Sequence, residues 1–463
     1  MKIKAITSKW LESNGRRLDC GPYMSGSIEA RMLIKKIGFE PLADLTHGFC
    51  GGIFKAPRLS PNYVSDPSHG LPYLSSTDIL CCDLSFVPLI ANSQAKGLKD
   101  YFVEKGMTLV TSSGDTGRTA FARDDMHGMM GSPHFMRIKP NETKIDPGYL
   151  FAFLSSKYGN RLMVSGTYGS IIQAIEPHHI SDLPVPRLGR VEQEAHRLVV
   201  DAAELRSQSN LLLEKSIDFL LEKSGLPKLA RAIPSKFDVN VVPSSSVLAR
   251  LDGLFHSRFH AEVVETIKGS KNGGVTVSEI AESVIEPIRF KRIPIEENEF
   301  SVPFFGTTPL MWSTPKPNYF LSRTQRDMTP YIVSQQTLLI PRSGQIAGLI
   351  GTAVLPYGDL INGAVTEDAI RVNCVRDIDA GFLFVALRSD YGIRQLKARS
   401  YGSSIPHLDV KQIGQVIVPR LDMTNYDLIG KMGIKVASMR NEAIEAENQA
   451  ISLVERTIEE GGR

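Results

Sequence analysis

The stretch GTYGSIIQAIEPHHISDLPVPRL at positions 166–188 returns as RSYGSSIPHLDVKQIGQVIVPRL at 399–421, 233 positions later and without a gap. Tyr168, Gly169, Ser170, Ile172, Ile180, Val185, Pro186, Arg187 and Leu188 are identical between the two copies. A solenoid repeats every ~20–50 residues, so a period of half the chain means two copies that each enclose a core. The correspondence extends outwards. GYLFAFLSSKYG (148–159) faces GFLFVALRSDYG (381–392), and MTLVTSSGDTG (107–117) faces QTLLIPRSGQIAG (336–348). LPYLSSTDIL (71–80) faces VPFFGTTPLM (302–311), and RLDCGPY (17–23) faces RLDGLFH (250–256).

Each copy mixes alternating strand segments with an apolar helical run, without strict βαβ alternation. That predicts an α+β domain present twice. A long helix is expected after each Val-Pro-Arg-Leu. Over 191–223, Ala195, Leu198, Ala202, Leu205, Ser209, Leu212, Ser216 and Phe219 alternate spacings of three and four, the pattern of a heptad seam. Such a helix is roughly 50 Å long. From about 426 to 459, Met432, Val436, Met439, Ala443, Ala446, Ala450 and Leu453 keep the same rhythm. A helix of this length cannot bury its stripe alone, and the two seams are expected to pair with each other as an antiparallel coiled coil. The predicted organisation is a globular domain over 1–190, a helix over 191–224, a linker and second domain over 225–422, and a helix over 423–463.

Composition narrows the class without deciding it. Of 463 residues, 42% are hydrophobic and 22% charged, which fits a globular protein of two or three domains. No apolar run approaches the roughly 20 residues needed to span a bilayer, and the N-terminal stretch lacks an apolar signal core. The expected location is the cytoplasm, with no membrane partner. Five irregularly spaced cysteines make neither a disulfide framework nor a zinc site. A net charge of +3 is too small to announce nucleic-acid binding, so any DNA-facing surface must be local.

The ordered set RLDCGPY, LPYLSSTDI, MTLVTSSGDTG, YGSIIQAI and LPVPRL with its following helix, each with a second-half counterpart, resembles the specificity (S) subunit of type I restriction-modification enzymes. The resemblance covers nearly the whole chain. It implies two target recognition domains alternating with two long paired helices, each domain reading half of an asymmetric, bipartite site in double-stranded DNA. The implied partners are two methyltransferase subunits and the restriction subunits. S-adenosylmethionine, ATP and Mg2+ would reside on those partners, with no cofactor bound by this chain. The same layout also fits the specificity subunit of another methylation-based phage-defence system. A scaffold whose duplicated domains bind proteins is the rival of a different class.

Base edges are read by Arg, Lys, Asn and Gln, while Ser, Thr and backbone amides suit phosphates. Lys55 and Arg58 lie on a Gly-led loop of the first copy, and Arg289, Lys291 and Arg292 occupy a similar run in the second; Phe54-Lys55 lines up in sequence with Phe290-Lys291. The Ser-Gly turns contribute Ser112, Ser113, Thr116 and Arg118 in one half, and Arg342, Ser343 and Gln345 in the other. The Tyr-Gly-Ser turns add Tyr168 and Ser170, then Tyr401 and Ser403, with Lys397 and Arg399 just before the second. Each of these also reads as an ordinary turn or a solvated basic loop.

The chain carries no Gly-x-x-x-x-Gly-Lys-[Ser/Thr] loop and no Asn-Pro-Pro-Tyr-like stretch. Asp125 followed by Glu142 and Lys144 matches a metal nuclease only loosely and has no second-half copy. The His178-His179 pair faces Lys411-Gln412, which argues against a metal site. A non-catalytic chain is expected, one that binds and positions.

Overall fold

The computed structural model describes residues 3–13, 18, 20–165, 174–229, 238–346 and 348–461. It comprises two compact units, Met1–Ser207 with Glu442–Arg463, and Gln208–Asn441.

In the first unit, β1 (Phe39–Pro41) pairs antiparallel with β10 (Pro184–Pro186), the strand carrying the repeated Val-Pro. A central antiparallel sheet runs in the order β2 (Ile53–Lys55), β9 (Phe135–Ile138), β6 (Thr108–Thr111), β7 (Thr119–Phe121). A second sheet runs β3 (Tyr63–Val64), β5 (Leu89–Ala91), β4 (Gly70–Leu74), β8 (Met130–Gly131), its last pairing parallel.

In the second unit, β11 (Gly274–Thr276) pairs with β19 (Ile417–Pro419). The central sheet is β12 (Ser283–Ile285), β18 (Ala369–Asn373), β16 (Thr337–Pro341). A single bridge from Leu339 to Val354 stands where the first unit has β7. The second sheet is β13 (Pro294–Ile295), β15 (Tyr319–Ser322), β14 (Ser301–Phe305), β17 (Ala364–Val365), again ending in a parallel pair. Strand order and direction therefore coincide in the two units.

The predicted apolar helix is broken in both. Pro147–Ser155 and Lys157–Ser165 are separate helices, as are Asp377–Arg388 and Asp390–Arg399. The first of each pair is buried almost all round, as expected of a helix with no polar face. Ser156 and Ser389 cause the break: each is extended, and its hydroxyl accepts a hydrogen bond from the amide of Gly159 at 3.2 Å or of Gly392 at 3.3 Å. A Cβ on Gly159 would lie 2.1 Å from the Phe153 carbonyl oxygen, and one on Gly392 2.4 Å from Leu387 Cα, so only glycine fits this corner.

The long helices span Arg190–Ser224 and Met423–Glu459. The buried row of the first differs from the expected seam by one residue at every second position, and that of the second at two positions. Ala195, Ala202, Ser209 and Ser216 are buried as anticipated, but the intervening places belong to Val199, Arg206, Leu213 and Leu220. Leu198, Leu205, Leu212 and Phe219 are half-buried. In the second helix Val436, Met439, Ala443 and Ala450 are buried. Met432, Ala446 and Leu453 are half-buried, and Gly433 and Val454 are buried in place of Met432 and Leu453.

The row accepts polar residues because they find partners. Within the first unit Arg206 pairs with Glu447. Within the second, Arg440 donates to the Asn210 side chain at 3.2 Å and lies 5.5 Å from the Tyr357 ring centre. Each unit also hangs a loop on its helix. The Ser207 hydroxyl donates to Asp125 at 3.4 Å, and the Asn441 carbonyl oxygen accepts from the Gly358 amide at 3.1 Å. The core of the first unit accordingly contains Ala195 and Val199 together with Ala450, Val454 and Ile458; that of the second contains Leu213 and Leu220 together with Ile429 and Val436.

One fully buried arginine joins the two larger sheets in each unit. On β9, Arg137 Nη2 donates to the Gly131 carbonyl at 3.0 Å. On β18, Arg371 Nη1 donates to the Thr366 carbonyl at 2.8 Å, and the guanidinium also reaches the carbonyls of Val365 and Ala369. Burial pushes both arginines down to about 10. Replacing Arg371 with Ala leaves these carbonyls unsatisfied beside a cavity, and should lower the unfolding free energy by about 3 kcal/mol. The exposed Lys291→Ala should change it by less than about 0.5 kcal/mol. Denaturant titration of both variants checks this, and equal midpoints would refute the role given to Arg371.

Candidate nucleic-acid interface

In the second unit the strand ends gather several of the expected residues on one surface. β16 ends at Pro341, and the next residues form the Ser-Gly turn. The Arg342 amide donates to the Asp368 carbonyl at 2.9 Å, and the Arg342 carbonyl accepts from the Leu408 amide at 2.7 Å. The turn is thus pinned between the β17–β18 connection and the segment after the Tyr-Gly-Ser turn. Ser343 Oγ lies 2.8 Å from His407 Nδ1, and Gln345 Nε2 donates to the Ser404 carbonyl at 3.2 Å. Tyr401 and His407 exchange backbone hydrogen bonds of 2.9 and 2.7 Å. Gly344 and Gly402, at φ 141° and 104°, hold conformations closed to most side chains. Ser343, Gln345, Tyr401 and Ser403 are therefore neighbours, with Gln345, Tyr401 and Ser403 exposed.

Two expected contacts face inwards instead, and a third is half-buried. Arg342 is held by Glu286 at 2.5 Å, with a side chain only 16% exposed. Arg399 is buried and donates to the Gln415 carbonyl at 3.1 Å, and burial pushes its guanidinium down to about 10. Lys397 is half-buried, which also lowers its ammonium. Both sit on the helix Asp390–Arg399, and Arg399 shares its buried face with Gln395 and Leu396.

Arg289, Lys291 and Arg292 lie between β12 and β13. Arg292 pairs with Glu367, its guanidinium 4.7 Å from the Phe304 ring centre. Arg289 pairs with Asp368 at 2.7 Å and keeps a side chain 65% exposed. Lys291 and Arg323 are exposed, and among the described residues neither has a carboxylate partner. Arg323 is tied in through its amide, which donates to the Phe300 carbonyl at 3.0 Å, and Arg326 lies 5.5 Å from the Phe290 ring centre.

The first unit repeats the scaffold with different side chains. The Ser112 amide donates to the His134 carbonyl at 2.9 Å, and its carbonyl accepts from Ile175 at 3.0 Å, the two bonds that Arg342 makes in the second unit. Ser112 is fully buried and lies beneath the turn rather than on it. Ser113 and Thr116 are half-buried; Arg118 pairs with Asp115 at 3.4 Å and is 17% exposed. Lys55 pairs with Glu176 at 3.0 Å on the wall of a cleft of about 700 Å3 also lined by Phe54, Tyr101 and Lys139. Arg58 is exposed. Tyr168 and Ser170 fall outside the described residues.

Strand register corrects one sequence alignment. Ile53 pairs with Ile138 beside Arg137, and Val284 pairs with Val372 beside Arg371. Lys55 therefore occupies the place of Glu286 rather than Lys291, and the residue three further on is Arg58 in one unit and Arg289 in the other. The Phe-Lys identity concealed this because it falls a few residues later in the second copy.

Sequence reasoning also missed Arg250. It pairs with Asp252, donates to the carbonyls of Arg399 and Ser400 at 2.8 Å each, and lies 5.9 Å from the Tyr401 ring centre, bracing the Tyr-Gly-Ser turn from below. The repeated Arg-Leu-Asp at 17–19 and 250–252 was the available signal. Among the described residues no group of three or more His, Cys, Asp or Glu is placed to hold a metal. Asp125 is paired with Arg123 at 2.9 Å, and the Lys144 ammonium donates to the Asp44 carbonyl at 2.8 Å, so the loose nuclease pattern does not assemble. No helix among the described residues is long and apolar enough to cross a membrane.

No family model and no curated protein matches the chain. Among solved structures, it is similar to a type I restriction-modification system S subunit from M. genitalium, at 15% identity and TM-score 0.30, covering 92% of this chain and 94% of that one. It is also similar to the HsdS subunit from Thermoanaerobacter tengcongensis, at 13% identity and TM-score 0.27, covering 91% and 96%. A chain from a study of type I restriction-modification complex assembly gives 12% identity, TM-score 0.27 and coverage of 92% and 97%. These superpositions are loose.

His260, beside Arg250 and Arg399, offers a pH test of this bracing. Burial pushes its imidazole down to about 4, against the hydrogen bond to the Phe255 carbonyl, and the nearby arginines add repulsion. An unfolded histidine titrates near ~6.5. Between those values the unfolded chain binds a proton that the folded chain refuses, so stability falls as pH drops from about 6.5 to 4, by about 3 kcal/mol in all. His260→Gln should flatten that part of the stability–pH curve; an unchanged slope would show that the buried imidazole is not its source.

Proposed function

We infer that the chain is the DNA sequence-recognition subunit of a type I restriction-modification complex. The observation that carries this reading is the recurrence of one strand order in two halves, each followed by a long helix and each built around the same buried arginine. A chain that arose by internal duplication would have this form. It would offer two related surfaces suited to a duplex, whose grooves recur about every 34 Å. Because the exposed residues of the two surfaces differ, the two half-sites differ too, and the target is bipartite and asymmetric.

On this reading the long helices pair antiparallel, act as the spacer between half-sites, and dock two methyltransferase subunits. Restriction subunits join that core. S-adenosylmethionine, ATP and Mg2+ act on those partners, and this chain contributes recognition alone. Backbone amides at the Ser-Gly and Tyr-Gly-Ser turns would face phosphates, with Gln345, Tyr401, Ser403 and the cations near Arg289 reaching the duplex.

Two measurements test the proposal. Binding of the chain to duplex DNA should weaken about a thousandfold or more between about 50 and 200 mM salt, the loss expected for six or more neutralised phosphates. Co-expressed with methyltransferase subunits, it should direct adenine methylation to one split sequence. Salt-insensitive binding, or methylation without sequence preference, would favour a protein-binding scaffold.

A further inference from the structure

Arginines that read bases are distinguished from those that neutralise phosphates by how they are held. A side chain that must meet two acceptors on a base edge loses less freedom on binding when a carboxylate already fixes its plane. In the second unit, Arg289 meets this condition. Its Nη2 lies 2.7 Å from Asp368 and its Nε 3.7 Å from Glu367, while the side chain stays 65% exposed.

The two carboxylates are themselves fixed. Glu367 is buried and paired with Arg292. The Asp368 amide donates to Thr366 Oγ1 at 3.3 Å, its carbonyl accepts from the Arg342 amide at 2.9 Å, and Arg371 holds the Thr366 carbonyl from within. Lys291 and Arg323, nearby, have no such support among the described residues. In the first unit the place of Asp368 is taken by His134, and Arg58 has no carboxylate partner among the described residues.

We propose that Arg289 is a guanine-reading residue of the half-site recognised by the second domain, with Asp368 and Glu367 as its positioning residues and Lys291 as a phosphate contact. The inference rests on the DNA-recognition reading above. Arginine meets O6 and N7 of guanine with two parallel hydrogen bonds in the major groove, a match that no other base edge offers as well. Arg289 is suited to this because its carboxylate contacts are made through Nε and Nη2 while the side chain stays 65% exposed. Arg58, with no carboxylate partner among the described residues, contributes charge to the other half-site without reading a base in this way.

The test uses the full chain and a pool of duplexes carrying a randomised stretch, with bound sequences recovered at physiological salt. The wild-type chain should enrich a split motif containing a required guanine in one half. Arg289→Ala should lower the preference for that guanine by roughly 10- to 100-fold while the other half-site keeps its sequence. Arg289→Lys keeps the charge and should lose most of the same preference, since an ammonium cannot make the paired contact. Lys291→Ala should weaken all sequences alike and make the salt slope shallower by about one. A wild-type motif retained at every position by Arg289→Ala and Arg289→Lys would overturn this inference and leave the proposed function standing. A wild-type chain that enriches no sequence would overturn both.

Discussion

Burying a guanidinium among carbonyls is costly unless its hydrogen bonds are made, and each half of this chain does it at the same point. Arg137 and Arg371 sit on an inner strand of the central sheet; Arg371 reaches the carbonyls of Val365, Thr366 and Ala369, whereas Arg137 makes one such bond, to Gly131, and leaves Nε and Nη1 without a hydrogen-bond partner. Sheets of three or four short strands enclose little apolar surface by themselves. The arginine ties the two together and fixes the connection between them, the stretch carrying His134 in one half and Asp368 in the other. In the second half that stretch goes on to hold Arg289, Arg292 and the Ser-Gly turn. Position at the surface thus depends on a charge in the interior.

Much of this organisation was legible in the chain. The α+β mixture and the long helices follow from pattern. The error in the helix seam has a physical source. An apolar template selects Leu205 and Leu212 and passes over Arg206, yet Arg206 is the residue enclosed, because Glu447 neutralises it. The broken apolar helix escaped for a related reason: Ser156 and Ser389 end one helix and cap the next, and a serine inside an apolar run carries no visible sign of that role.

The candidate surface was legible in outline only. Ser343, Gln345, Tyr401 and Ser403 do converge, because Ser343 and Tyr401 both bridge to His407. Arg342 and Arg399 turn inwards, because side-chain direction is set by partners such as Glu286 and Gln415, of which Glu286 lies far off in sequence. Asp368 illustrates the converse. An acidic residue earns no notice in a search for DNA contacts, although it is the group that orients Arg289.

The backbone bonds at Ser112 and at Arg342 are the same two bonds made by different amino acids. Neither involves the side chain, so the same frame forms around a buried serine in one half and a glutamate-paired arginine in the other. The residue after the turn's glycine diverges freely on that shared frame, as exposed Asp115 in one half and exposed Gln345 in the other.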